Sequence, residues 1–364
     1  MSKMNLLLSL SLAGLVGVAG CTGGGMSDDD MPGDDDGSGG GGDRGPMTNG
    51  VSTLAGWNEP GYKDGNRQVN LFNNPVNVAA HDGKLYVADF DNGKIRAVDM
   101  DGNTSTIIAK DKFSRPFGMA FVGNTLYVST DRDPAGQGGP DDLMSGTIWK
   151  IDLNAKTAIA VAPRVGRPRG LTALSDGRIA VVDYTFHVIQ IFDPATNQLT
   201  PLAGTWGVKG AADGAGGTAS FSTPYGVAQR SDGKLVVTDF DNHKIRLVGL
   251  DGTVSTAGGG TAGFGDGALA SAKFNHPQGI AKGSDGNFYV TDLENYRVRK
   301  ISSDLSTVST VAGDGNPGAK DSDDKLASQF YGLEGVTAAD GKLFVADGTR
   351  GEDVPYNRIR MIKL

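Results

Sequence analysis

The chain carries a single cysteine, Cys21, in 364 residues, which excludes an intrachain disulfide. Histidine is nearly as scarce: His81, His187, His243 and His276 are the full set. A catalytic zinc ordinarily needs three protein ligands converging on one point. His81 falls beside a short turn, opposite the other three, and those three read as non-equivalent positions of different repeats. No histidine-built metal site is therefore expected. Basic residues are outnumbered, 34 Lys and Arg against 42 Asp and Glu, for a net charge of −8. A nucleic-acid partner would require a basic face and is not expected. The sequence has no G-x-S-x-G elbow, no phosphate-cradling loop closed by Lys-Ser/Thr and no zinc-protease helix, so no catalytic residue is assigned. Long apolar runs are also missing, apart from residues 6–18, which are too few to span a bilayer comfortably.

That run follows Lys3 and precedes small residues, the layout of a secretory signal peptide over residues 1–20. The sequence Val18-Ala19-Gly20-Cys21 resembles the lipobox of bacterial lipoproteins. The resemblance implies cleavage before Cys21, a diacylglycerol on its thiol and an acylated new N-terminus. It places the protein in the cell envelope, anchored to a membrane. Thr22 in place of Asp leans toward the outer membrane of a Gram-negative cell, on its periplasmic or surface side. Residues 21–50 are rich in Gly and Asp, with seven Asp against one Arg after Cys21. Such a segment buries too little to offset its ordering entropy and reads as a disordered, solvated tether. A coil of this length spans roughly 30 Å on average.

Glycine is the abundant residue, 56 in all, about twice ordinary usage. Much of it punctuates a repeat whose template is residues 223–259, TPYGVAQRSDGKLVVTDFDNHKIRLVGLDGTVSTAGG. Asp-Gly turns between β-branched runs mark hairpins, so the template reads as four short antiparallel strands. One such sheet cannot bury both faces and must stack on copies of itself. Copies begin at Pro75, Pro116, Pro168, Pro277 and Leu333. The last copy stops after its third strand. The missing fourth is found at residues 51–56, VSTLAG, which nearly copies VSTAGG and VSTVAG. The expected fold is all-β: a six-bladed β-propeller of four-stranded antiparallel blades over residues 51–364, its last blade closed by the N-terminal strand.

The segments VADFDNGKIR, VTDFDNHKIR, VTDLENYRVR and YNRIR, with their Pro-x-Gly starts and V-x-T-x-A-G ends, resemble the NHL-repeat β-propellers. Blades two and three depart from the pattern. Thr130 stands where the others have Asp89, Asp183, Asp239, Asp292 and Asp347, and blade three has YTFHVIQ in place of Asn and the basic pair. The Asp and Asn of these segments are expected to cap hairpin loops. Arg96, Arg246, Arg299 and Arg360 are expected to be their structural partners.

Connectors between blades and the second-to-third loops emerge on one long-loop face, and the short turns on the other. Function usually sits on loops carried by a rigid scaffold. Only unrepeated residues can give a repeated ring specificity. On the long-loop face these are the channel-mouth set Asn77, Phe117, Arg169, Tyr225, Gln278 and Glu334, and the blade-two insertion at residues 131–146, expected to be mobile and solvated. The expected function is a protein- or glycan-binding module, monomeric, without a cofactor. The alternative carried by the resemblance is an enzyme, since six-bladed relatives include Ca²⁺-dependent lactonases and metal-dependent lyases. For that reading Glu334 and Asn77 are suggestive but lack a matching Asp. The resemblance also allows a sensor domain.

Overall fold

A computed structural model describes residues 44–138 and 142–364. Cys21, the leader and residues 22–43 of the tether lie outside the described residues. Six antiparallel sheets succeed one another along the chain. Blade four has strands Pro224–Gln229, Leu235–Asp239, Lys244–Val248 and Val254–Gly259, the four expected of the template. Gly233 and Gly252 take φ of 88° and 86° in those turns, a conformation that disfavours any side chain.

The Pro-x-Gly start has a packing cause. The six first strands run side by side around a central channel. A Cβ on Gly170, Gly226 or Gly279 would lie 2.3–2.5 Å from the carbonyl oxygen of Tyr225, Gln278 or Glu334 in the next blade. Only glycine permits that approach. Thr238 and Thr291 strap the same junctions, donating to Gln278 O at 2.6 Å and to Glu334 O at 2.7 Å.

Apolar side chains from facing sheets form six cores, one at each blade junction. The sixth junction closes the ring. Val51–Trp57 pairs antiparallel with Asn357–Lys363, from Val51 opposite Ile362 to Trp57 opposite Asn357. Val51 packs in the core between blades five and six, and Leu54 and Ala55 in that between six and one.

Each regular blade carries one buried ion-pair knot. Arg246 Nη1 donates to Asp239 at 2.6 Å and Nη2 to Asp213 of the preceding connector at 2.8 Å. The guanidinium lies over the connector's Phe221, 5.0 Å from the ring centre. Arg96, Arg299 and Arg360 repeat this with Asp89 and Asp64, Asp292 and Asp266, and Asp347 and Asp321. Asn92, Asn242 and Asn295 donate to the same central carboxylates. In blade two, Trp149 occupies the arginine's register opposite Val128 and donates from Nε1 to Thr130 Oγ1 at 2.8 Å. An indole–hydroxyl pair thus replaces the ion pair. In blade three Gln190 takes that register, opposite Val181.

Three expectations need correction. Residues 44–50 pack on the domain, although the fold was expected to start at Val51. Arg44 donates to Arg67 O and to Asn70 Oδ1, the latter at 3.1 Å, and Asn49 N donates to Asp323 at 2.6 Å. His187 and His243 are equivalent rather than unrelated: both are left-handed, φ 59° and 53°. The Nδ1 of each accepts a backbone N–H of the next blade, from Thr223 or His276, at 3.1 Å. The insertion is not wholly solvated either, because Asp131 is buried.

Candidate functional site

The first strands enclose a channel cavity of about 470 Å³. Asn77, Phe117, Arg169, Tyr225 and Glu334 line it. Gln278 stands behind them, its Nε2 3.3 Å from Glu334 Oε2. The six side chains named from the sequence do come together at one end of one channel. They do not form an open mouth on the long-loop face: Phe117, Arg169, Gln278 and Glu334 are only 3–6% exposed.

Aromatic residues close that end. Phe90, Tyr184 and Phe240 each follow the last residue of a second strand, where the chain turns into the long loop. Their rings fold inward. Phe90 meets Phe117 edge-on at 5.9 Å, Phe117 meets Tyr225 at 5.6 Å, and Tyr225 meets Phe240 at 5.5 Å. Arg169 lies between Phe117 and Tyr184, 4.2 and 4.6 Å from their ring centres. Its Nη1 and Nη2 donate to Asp131 Oδ1 and Oδ2 at 2.6 and 3.0 Å, and Arg167 Nη2 reaches Asp131 Oδ2 at 2.7 Å. Burial works against the charge on Asp131, but Arg169 and Arg167 outweigh it and hold the carboxyl below its usual range. The sequence placed Asp131 in a solvated loop because Thr130 fills the repeat's Asp position. The carboxylate one residue later goes to the channel arginine instead.

Toward the short-turn end the lining is mixed, with Thr172, Gln229 and Thr337 beside Leu174 and several alanines, and it includes the exposed Ser175 and Lys282. The cavity therefore opens on the face opposite to the one expected.

Burial pushes the Glu334 carboxyl up to about 8, although Arg169, Arg350 and Gln278 offset part of the effect. Glu334 is thus mostly a neutral acid at pH 7, able to donate one hydrogen bond into the channel. Between the ordinary carboxyl value and about 8, the folded chain holds a proton that the unfolded chain releases. The stability Glu334 contributes is therefore complete at low pH and is lost as pH rises toward 8. Glu334→Gln should remove that slope. Urea titrations should show the wild type losing on the order of 3 kcal/mol relative to the variant between about pH 5 and pH 9. A pH-independent difference would contradict the assignment.

Ca²⁺ takes six to eight oxygens including carboxylates. In the channel Glu334 and Asn77 offer such oxygens, Asn77 Oδ1 also accepting from Val78 N at 2.8 Å, and no group of three His, Cys, Asp or Glu is gathered among the described residues. No helix among the described residues is long and apolar enough to cross a membrane.

Comparison with known proteins bears on the repeat and the fold. Protein SUPPRESSOR OF QUENCHING 1, chloroplastic, of Arabidopsis thaliana is 27% identical over 282 residues, covering 67% of this chain and 26% of that protein. NHL repeat-containing protein 2 of Homo sapiens is 26% identical over 314 residues, covering 79% and 39%. The chain thus spans between 26% and 39% of the length of these relatives. A structural-genomics protein of Bacteroides thetaiotaomicron superposes with a TM-score of 0.69 at 18% identity, over 86% of this chain and 75% of the other. An auxiliary nutrient binding protein of that organism gives 0.65 at 17%, over 86% and 75%. Virginiamycin B lyase of Staphylococcus aureus gives 0.51 at 13%, over 80% and 95%. At these identities the likeness is one of fold. The family model of the NHL repeat matches residues 274–301, so this stretch is an NHL repeat set in a six-bladed β-propeller.

Proposed function

We propose that this chain is an extracytoplasmic binding module, anchored through Cys21, that meets a protein or glycan over its long-loop face. The observation that supports this reading is a pair of flat aromatic stacks on that face, each confined to its own part of the ring. Phe186 of a second-to-third loop stacks on Trp206 of a connector at 4.3 Å and 18°, and Trp206 remains 44% exposed. Across the face Tyr331 stacks on Tyr356 at 4.6 Å and 23°, with Tyr296 at 6.5 Å and the Arg350 guanidinium 5.7 Å from the Tyr331 ring. Trp, Tyr and Arg most often carry interface energy, and planar rings offer apolar area at little entropic cost. The candidate surface therefore moves outward from the closed channel mouth to this rim.

Glycan arrays and capture from extracytoplasmic extracts test the reading with the full chain. Trp206→Ala and Tyr331→Ala should each weaken binding by about 10- to 100-fold, on the order of 1–3 kcal/mol. Lys234→Ala and Asn287→Ala on the short turns should leave it unchanged. Loss confined to the second pair would overturn the assignment of the face. Cys21→Ser should move the protein from the membrane fraction to the soluble one. A Ser variant that stays with the membrane would overturn the anchor.

A further inference from the structure

Four outer strands have their free edge covered by the connector arriving from the preceding blade. Gly65 exchanges backbone hydrogen bonds with Thr104, Gly214 with Val254, and Ser322 with Val51, at 2.7–3.0 Å. In blade five, Gly267–Ala268 forms a fifth strand on Thr307–Ala312. An Asp of the same connector then caps the next outward amide. Asp64 accepts from Thr106 N at 2.9 Å, Asp213 from Thr256 N at 3.0 Å, Asp266 from Thr310 N at 3.0 Å and Asp321 from Thr53 N at 2.6 Å.

The connectors into blades two and three, residues 109–115 and 164–167, are too short to do this. Register identifies the amides that no described residue caps. Thr104 and Thr106 stand opposite Val98 and Arg96, and the matching residues of blade two are Ala158 and Ala160, opposite Ile151 and Trp149. In blade three they are Leu199 and Pro201, opposite Phe192 and Gln190. Pro201 has no N–H to cap, and proline on an edge discourages a further strand. Blade two keeps both amides. Its outer strand Thr157–Pro163, TAIAVAP, has no charged residue and no proline before its last position. Ile159 is 63% exposed, more than any other large apolar side chain described. An uncharged free edge is a liability that proteins normally blunt, as this chain does in its other blades.

A cleft of about 840 Å³ between blades one and two runs beside this edge, with Thr157 and Ile159 in its wall. Lys84, Lys150 and Lys156 also line it, and none has a carboxylate partner among the described residues. Two acids, Asp82 and Asp152, share the cleft. Asp152 accepts the amides of Asn154 and Ala155 at 2.9 Å, and three lysines against two aspartates leave the cleft with a net positive charge.

We propose that the free edge of Thr157–Pro163 takes up an extended, acidic segment of a partner protein by strand addition, its backbone pairing with Ala158 and Ala160 and its carboxylates meeting the three lysines. Main-chain pairing supplies affinity in this mode and flanking side chains supply selectivity. The site is separate from the long-loop face and stands whether or not that face binds a partner.

The test uses the full chain and a capped peptide of four Glu-Val repeats, read by fluorescence anisotropy and by hydrogen exchange at residues 158 and 160. The peptide should bind at low salt and slow exchange at both amides. A Lys-Val peptide, and a Glu-Val peptide N-methylated on its pairing edge, should bind at least tenfold more weakly. Ala160→Pro should abolish binding while retaining the fold, since Pro201 is tolerated at the same register. Ile159→Lys, a milder edge charge, should weaken binding at least tenfold should the proline variant not fold. Failure to bind at millimolar peptide, or binding unaffected by these variants, would overturn the proposal. A wild-type dimer that Ile159→Lys converts to monomer would also overturn it, by assigning the edge to a second copy of the chain.

Discussion

Removing residues 1–56 should abolish cooperative unfolding or yield edge-paired dimers, whereas removing residues 1–43 should leave the thermal midpoint unchanged. The longer deletion takes all but Trp57 of the strand Val51–Trp57, in which Val51, Leu54 and Ala55 are completely buried. A fully buried Val or Leu is worth roughly 1.5–3 kcal/mol, and each backbone hydrogen bond adds about 1 kcal/mol net. The loss also leaves Asp321 without Thr53 N and opens the edge of Asn357–Lys363. Together these amount to on the order of 10 kcal/mol, comparable with the whole stability of a typical domain. A deletion ending at residue 50 should fall between the two, because Arg44 and Asn49 are bonded to the domain. Differential scanning calorimetry of the three truncations decides the matter. Equal midpoints for deletions ending at 43 and 56 would refute closure by this strand.

Arg169→Ala should cost about 3–5 kcal/mol, the range for breaking a buried ion pair from one side. Asp131 would keep its burial but lose its two-pronged partner, leaving Arg167 alone to balance it. Replacing both Arg169 and Asp131 with leucine should recover part of the loss, because no unpaired charge then remains. The pH dependence has a definite sign. Asp131 has a depressed folded value, so its contribution is present above the ordinary carboxyl range and is lost as pH falls through that depressed value. The Arg169→Ala variant should accordingly lose less stability on acidification than the wild type. Chemical denaturation at neutral and acid pH measures both effects. A change below about 1 kcal/mol at neutral pH, ordinary for an exposed pair, would mean that the pair lies open to solvent. The sequence places Arg169 in the channel-mouth set as a candidate binding residue; the Asp131 pair makes it part of the fold.

Much of the architecture was legible because local chemistry and global fold agree. Asp-Gly turns set strand lengths, alternation set the buried faces, and a missing fourth strand matched by a copy at the start of the domain required closure. The knots around Arg96, Arg246, Arg299 and Arg360 were half legible. Their hairpin carboxylates lie seven residues away, thirteen in blade six, but Asp64, Asp213, Asp266 and Asp321 reach across some thirty to forty residues. The recurring Asp of the connectors was the available signal. The equivalence of His187 and His243 was hidden because the segment around His187 lacks the Asn and basic pair found around His243.

The sequence by itself determined which residues repeat, and hence the number of blades, their order, the closing strand and the six positions that vary around the channel. Those follow from periodicity and turn chemistry, which act over neighbouring residues. Only the tertiary structure decided where the varying residues face. Phe90, Tyr184 and Phe240 close the channel on the long-loop side because rings from separate blades meet where the first strands converge. Asp131 joins Arg169 because a loop of blade two begins beside the first strand of blade three. The edge of Thr157–Pro163 stands free because a short connector fails to reach it. Each outcome depends on distances between segments far apart in the chain, which no local pattern encodes.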